Sequence, residues 1–166
     1  AEQLRQGLVQ YLERYSFGNA SWTDLIEILA GDSGQNLKTW NHDWVEQAGL
    51  PIISVSRTDR GVELIQKDPL EKDRTWEQSL TVTYGMMKEG KISTSSQIIN
   101  MIKKTHKIDD PGDIDFVIPN GSGFEYGQFL LDTESLNFLL ENVDLVEVDL
   151  LRGAVWISLW EQVLLN

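Results

Sequence analysis

The chain has 166 residues, 41% of them hydrophobic, enough to bury one substantial core with parts of neighbouring domains attached. Its 14 Lys and Arg stand against 26 Asp and Glu, a net charge of −12, which argues against nucleic acid or an anionic membrane as the main partner, since both need a positive footprint. Cysteine is absent, so neither a disulfide framework nor thiolate chemistry is available, and no apolar run approaches the roughly 20 residues that span a bilayer.

The first segment reads as a helix. Leu4, Leu8, Tyr11, Leu12 and Tyr15 fall on one stripe at spacings of three and four. No cap precedes it, so the chain is expected to be a piece of a longer protein. Gly18 and Asn19, which tolerate left-handed backbone most cheaply, mark the end of this helix. Ser21 or Thr23 caps a second helix bearing Leu25, Ile26, Ile28 and Leu29, with Gly31 as its expected end. A third helix over residues 37–47 carries Trp40, Trp44 and Val45. Gly49 and Pro51 stop it and deliver the chain into the β-branched run 52–55, which marks a boundary between modules.

From Pro51 the texture is that of a β protein. The runs "PIISVSR", "GVELIQK", "WEQSLTVTYGMM", "KISTSSQII", "DIDFVIP" and "FEYGQFLL" are separated by turn residues, among them Glu89–Gly90, Pro111–Gly112 and Asn120–Gly121. Short strands at this spacing predict a small antiparallel β-sandwich of about seven strands. In "TWEQSLTVTY", Trp76, Gln78, Leu80, Val82 and Tyr84 share one face, as in a half-buried strand.

At Asp132 the period returns to helical. Asp132 or Thr133 caps "ESLNFLLENV", and "LVEVDLLRGAVWISLWEQVLLN" is apolar on nearly every side, as for a helix inside a larger helical assembly. The fold class is therefore α+β, with helices at both ends of a central sandwich. The expected domains are a helical piece 1–49, a sandwich 50–131 and the start of a second helical domain 132–166. Charge is uneven as well, because no Lys or Arg lies between Lys107 and Arg152. A solvated acidic face accounts for this; a positive partner, such as another domain, is the sharper alternative.

Two quoted stretches carry a family resemblance. "YLERYSFGNASWTDLIEIL" followed by "TWNHDWVEQAGLPIISV" resembles the end of the catalytic domain in zinc aminopeptidases of the aminopeptidase N (gluzincin) family, where a helix pair leads through a Trp, Gln, Gly and Pro segment into a β-sandwich. The matching positions are Tyr11, Leu12, Phe17, Gly18, Asn19, Ala20, Asp24, Leu25, Trp44, Gln47, Gly49, Pro51 and Val55. Further on, "IPNGSGFEYGQFLLD" resembles that family's Asn-Gly hairpin before an aromatic strand, and "LLRGAVWISLWE" the first long helix of its C-terminal helical domain. The resemblance implies a parent that removes N-terminal residues from peptides with a zinc-activated water. It also implies, as partners, the parent's remaining domains and its peptide substrates. "KKTHKIDDPGDID" matches nothing in the pattern, so strand register there stays open.

The family's zinc ligands, the two His of H-E-x-x-H and a downstream Glu, are not in this sequence, nor is the motif Glu that serves as general base. Only His42 and His106 occur, in different segments. We therefore assign no catalytic, no cofactor-binding and no metal-ligating residue, and expect any zinc to belong to the rest of the parent enzyme. His42 and Glu46, four apart on a helix, read as a surface ion pair, because a working metal site needs a third ligand. "DDPGDID" reads as an acidic turn, the ligand spacing of a calcium loop being unmet. The sequons at Asn19 and Asn120 are explained as cap and turn residues, and the six Trp as core packing. The functional expectation is a non-catalytic structural portion of a zinc-dependent aminopeptidase. The alternative is a standalone β-sandwich module for protein or carbohydrate binding. Soluble, cytoplasmic or periplasmic locations all fit this composition.

Overall fold

The computed structural model describes residues 2–33 and 37–164, which form two compact units, Ala1–Ala48 and Gly49–Asn166. The first holds α1 (Glu2–Arg14), α2 (Trp22–Ser33) and α3 (Leu37–Asn41), which runs on into a π-helical turn, His42–Glu46. α1 lies against α2 at Gly7, where an added Cβ would stand 2.4 Å from Leu29 Cδ2, so a larger residue here would have to displace the Leu29 side chain. Ile26 is the apolar residue buried here, while Leu4 and Leu12 of the predicted stripe remain more than half exposed.

Three local expectations are refined. The left-handed residue after α1 is Phe17, at φ 59°, because the Gly18 N–H already closes the turn on the Tyr15 carbonyl, one residue earlier than Gly18–Asn19 predicts. The cap of α2 is Ser21: its N–H donates to Asp24 Oδ2 at 2.8 Å and Asp24 N–H returns to Ser21 Oγ at 3.3 Å, a reciprocal capping box. α2 also continues past Gly31. The helix expected over 37–47 widens to a π-turn after Asn41, whose buried amide is shared between Trp22 Nε1 (2.5 Å) and Glu46 Oε1 (2.7 Å).

The second unit is a sandwich with two helices on it. Its strands are β1 (Ile52–Thr58), β2 (Gly61–Lys67), β3 (Gln78–Lys88), β4 (Lys91–Met101), β5 (Thr105–Asp109), β6 (Phe116–Ile118) and β7 (Gln128–Leu130). One sheet has the order β5-β2-β1-β7, the other β4-β3-β6. All ladders are antiparallel except β1 with β7, where Ile52–Ser54 pair in parallel with Gln128–Leu130. The exception follows from the loop after β6. Asn120–Gly121 make no hairpin; the loop changes sheets, and β7 arrives on the free side of β1 already running with it. Gly121 passes so close to β3 that a Cβ would meet Thr83 Oγ1 at 2.0 Å, and its N–H donates to the Thr81 carbonyl.

Alternation places the core. Ile53, Val55, Val62, Leu64, Leu80, Val82, Tyr84, Met101, Val117 and Phe129 point between the sheets and are nearly inaccessible. Trp76 precedes β3 and is buried with them; its backbone N–H and carbonyl are held at 2.5 and 3.0 Å by the side-chain amide of Gln66, itself buried. A second core forms on the outer face at β6. There Phe116 and Ile118 meet Leu131, α4 (Thr133–Asn142), the short 3₁₀ turn Val143–Leu145 and α5 (Asp149–Leu164). A Cβ on Gly85 would lie 2.0 Å from the Phe116 ring, so the flat top of β3 at this point is what seats that ring.

Arg57 ties these layers together. From β1 it donates Nε to Asp132 Oδ1 (2.9 Å), Nη1 to the Ile114 carbonyl (3.0 Å), and Nη2 to the Asp115 carbonyl (2.9 Å) and Ser135 Oγ (3.1 Å). Asp132 is in turn the cap of α4, accepting from Ser135 N–H. With side-chain exposures of 20% and 10%, Arg57 and Asp132 form a largely desolvated pair, whose breaking strands an unpaired charge at a cost of about 3–5 kcal/mol. Arg57→Met is expected to lower the unfolding free energy of the chain by that amount, read as a lower urea midpoint at an unchanged slope. A change under about 0.5 kcal/mol would show the latch to be idle.

Candidate functional site

His42 stands on the π-turn with Nδ1 3.3 Å from Glu46 Oε2 and Nε2 3.5 Å from Gln47 Nε2, more than half exposed. His106 is on β5 in the other unit, paired across the ladder with Leu64. Among the described residues no three His, Cys, Asp or Glu side chains come together in a metal-holding group. With both His 42 ring nitrogens already engaged by neighbours on its own turn, the residues present do not fit a peptidase zinc.

The acidic run is spent on backbone. Asp110 Oδ1 accepts from Gly112 N–H at 2.9 Å to shape the turn, and Asp115 Oδ2 accepts from Met87 N–H at 2.6 Å on β3. Asp132 and the exposed Glu134 meet Arg57, and Asp149 meets Arg152, so part of the arginine-free stretch finds its countercharge inside the unit. Asn120 is 5% exposed and accepts from Ser158 Oγ of α5 at 3.2 Å. A glycan there would have to lift the helix off. Expectation and structure differ over tryptophan. Trp76 is core, but Trp22, Trp40, Trp156 and Trp160 are 43–64% exposed, the last two side by side on the outward face of α5.

A crevice of about 490 Å³ lies between β4 and β5 and is lined by Tyr84, Gln97, Ile99, His106, Asp109 and Asp110 among others. Burial pushes the Tyr84 phenol up, against the Gln97 amide that donates to it at 2.6 Å. The crevice is open and polar. Nearby, burial alone would raise Glu125, but donors on Ser122, Thr81 and the loop backbone outweigh it and hold its carboxylate low. These are structural tasks. The residues that hold the loops, Arg57, Gln66 and Asp68, belong to no sequence motif.

Asp68 is the most heavily used. Its carboxylate, 3% exposed, takes Arg74 Nε and Nη2 at 2.8 Å each and the backbone N–H of Leu70, Lys72 and Arg74. Arg74 in turn stacks on Trp76, 4.6 Å from the ring centroid. One carboxylate thus folds the whole 68–76 loop beneath the sandwich core.

No family model matches the chain. Individual proteins do. It is 25% identical over 148 residues to the tricorn protease-interacting factor F2 of Thermoplasma volcanium, covering 87% of this chain and 17% of that protein. It is 32% identical over 88 residues to aminopeptidase N of Lactobacillus delbrueckii subsp. lactis (50% of this chain, 10% of that one). With aminopeptidase M1-A of rice, Oryza sativa subsp. japonica, it shares 35% over 66 residues, 40% of this chain and 8% of that one. The chain is thus similar to members of the aminopeptidase N family and spans less than a fifth of the length of these curated relatives. No helix among the described residues is long and apolar enough to cross a membrane.

The Asp68 contacts predict a pH response. Arg74 first, then the backbone N–H groups of Leu70 and Arg74, hold the Asp68 carboxyl well below its ordinary 3.8. A carboxyl so held adds stability above its unfolded value, and the contribution fades as pH falls from about 4 toward the folded value. Carboxyl carbon-13 NMR should therefore place the Asp68 midpoint well under 3.8. Asp68→Asn should flatten the acid limb of the stability curve; a midpoint at or above 3.8 would contradict the geometry.

Proposed function

We propose that this chain is a non-catalytic structural portion of a zinc-dependent aminopeptidase. The parent removes N-terminal residues from peptides with zinc ligands that lie outside this segment. In this reading residues 1–49 are the tail of the catalytic domain, 50–131 the sandwich, and 132–166 the start of the C-terminal helical domain. The sequence match along most of the chain supports the assignment, and so does a segment in which the only two His are His42 and His106.

The observation that carries the structural role is the shape of α5. One side is anchored: Leu151, Ala154, Val155 and Leu159 are buried in the second core. The other side presents Leu150, Trp156, Ile157, Trp160, Val163 and Leu164, all at least half exposed. Covering side chains of this size is worth about 1.5–3 kcal/mol each in area terms, an upper bound before entropy, so a helix carrying six is built to be packed against. Further helices of the parent are the occupant this reading assigns. The carbohydrate-binding alternative draws no support from the sandwich, whose one tryptophan, Trp76, is 1% exposed.

The test is complementation. The chain alone should give no hydrolysis of an aminoacyl p-nitroanilide above buffer, and metal analysis should find zinc far below one per chain. Co-expressed with the remainder of its parent as a separate polypeptide, it should co-purify and restore turnover. Trp156→Ala with Trp160→Ala should weaken that association at least tenfold without unfolding the sandwich. Turnover by the chain alone, or stoichiometric zinc in it, would overturn the assignment.

A further inference from the structure

The sandwich has four sheet edges, and the structure treats them differently. At β7, α5 supplies a substitute strand: Phe129 N–H donates to Glu161 Oε2 (3.2 Å), Leu131 N–H to Gln162 Oε1 (3.1 Å), and Gln162 Nε2 to the Leu131 carbonyl (3.1 Å). At β6, Ser135 Oγ accepts from Val117 N–H at 2.8 Å and Arg57 takes the two preceding carbonyls. β5 is five residues long and bears His106, Lys107 and Asp109, then Asp110 and Pro111, the usual blunting of an edge.

β4 has none of these devices. It is eleven residues long, ends its sheet, and has β3 as its one ladder neighbour. Between Lys91 and Met101 it contains no charge, proline or glycine, and Ile98 is 75% exposed. Its hairpin with β3 turns through Glu89 and Gly90, both at positive φ, so Lys88 and Lys91 form the first hydrogen-bonded pair. Pairs two residues apart repeat that pattern, which leaves the N–H and C=O groups of Ile92, Thr94, Ser96 and Ile98 facing the open side. The next member of the series, Asn100, shows the direction: its carbonyl is taken from outside the ladder by Ile102 N–H at 3.1 Å.

These four positions are self-complementary. An antiparallel copy with its two-fold axis at Ser95 sets Ile92 opposite Ile98 and Thr94 opposite Ser96 on the outer face. On the inner face Ser93 lies opposite Gln97, and Ser95 opposite itself. Each residue with free backbone groups then meets another such residue, closing about eight hydrogen bonds. No like charges oppose each other in this register. Glu89 of each hairpin tip falls opposite Met101 of the other copy, next to Lys103, so the net charge of −12 is not concentrated at the seam. We propose that β4 is a pairing edge through which two copies of this chain join, fusing two three-stranded sheets into one of six.

Sedimentation velocity on the 166-residue chain should show a dimer that Ile98→Lys weakens at least tenfold, while Trp160→Lys, on the exposed face of α5, leaves it intact. Ser95→Cys places two thiols at a non-hydrogen-bonded pair about 4.5 Å apart in Cα and should cross-link on mild oxidation, whereas Ser93→Cys, opposite Gln97, should not. Four results would each overturn the proposal: a monomer at about 100 µM, a dimer indifferent to Ile98→Lys, a dimer lost with Trp160→Lys, or equal cross-linking of the two cysteine variants. Capture of an unrelated extended peptide on β4 by a chain that stays monomeric would likewise reject self-pairing.

Discussion

The Arg57 guanidinium is the point on which the second unit turns. A three-layer arrangement of sheet, sheet and helices needs something to fix the outer helices in register with a sandwich they touch on one face only. Hydrophobic burial at Phe116 and Ile118 brings α4 and α5 close but is non-directional. Arg57 adds the direction: its fixed fork reads two consecutive carbonyls before β6, the cap of α4 and a serine inside α4 at once. Lysine has no such geometry, and no apolar residue would satisfy the carbonyls it leaves behind. The interaction is expensive to desolvate and repays that only because all its partners are present together.

Asp68 solves a similar problem with the opposite charge. Between β2 and β3 the chain must leave one sheet and enter the other, and the ten-residue connection has no strand partner for its N–H groups. The carboxylate takes three of them and draws in Arg74, whose face covers Trp76. Two of the four crossings between the sheets, β2 to β3 and β5 to β6, are thus each organised by one buried charge answered by the backbone, while the hairpins need only turn residues. At these two crossings charge works inside the loops.

Period and turn chemistry made the architecture legible. Strict alternation from Leu80 to Tyr84 and the helical run after Asp132 depend on neighbours two, three and four residues away, which a sequence displays directly. What stayed hidden depends on distant neighbours. The parallel pairing of β7 with β1 needs a loop that changes sheets, and Asn120–Gly121 look the same whether they close a hairpin or open a crossover. Phe17 adopts the left-handed turn because Gly18 N–H is committed elsewhere, a choice made by hydrogen bonds and not by propensity. Trp156 and Trp160 read as core from composition, yet they are outside because α5 is used on both sides. As to the site, the sequence already says that its two His stand in separate segments. It does not say that the polar residues that matter, Arg57, Gln66 and Asp68, act on backbone, because backbone acceptors leave no trace in the residue string.

The double use of α5 joins the fold to the proposed role. Gln162 and Glu161 bond to the strand edge at β7, and β7 pairs with β1, which carries Arg57. The apolar face beyond them is therefore mounted on a chain of hydrogen-bonded elements and not on a free-swinging helix. A domain packed on Trp156 and Trp160 would be held at a fixed angle to the sandwich, with strain passed along β7 and β1 to the cap of α4. That is the property a connecting module needs: a fixed mount that leaves apolar surface and a strand edge open, the two kinds of surface that protein covers better than water does.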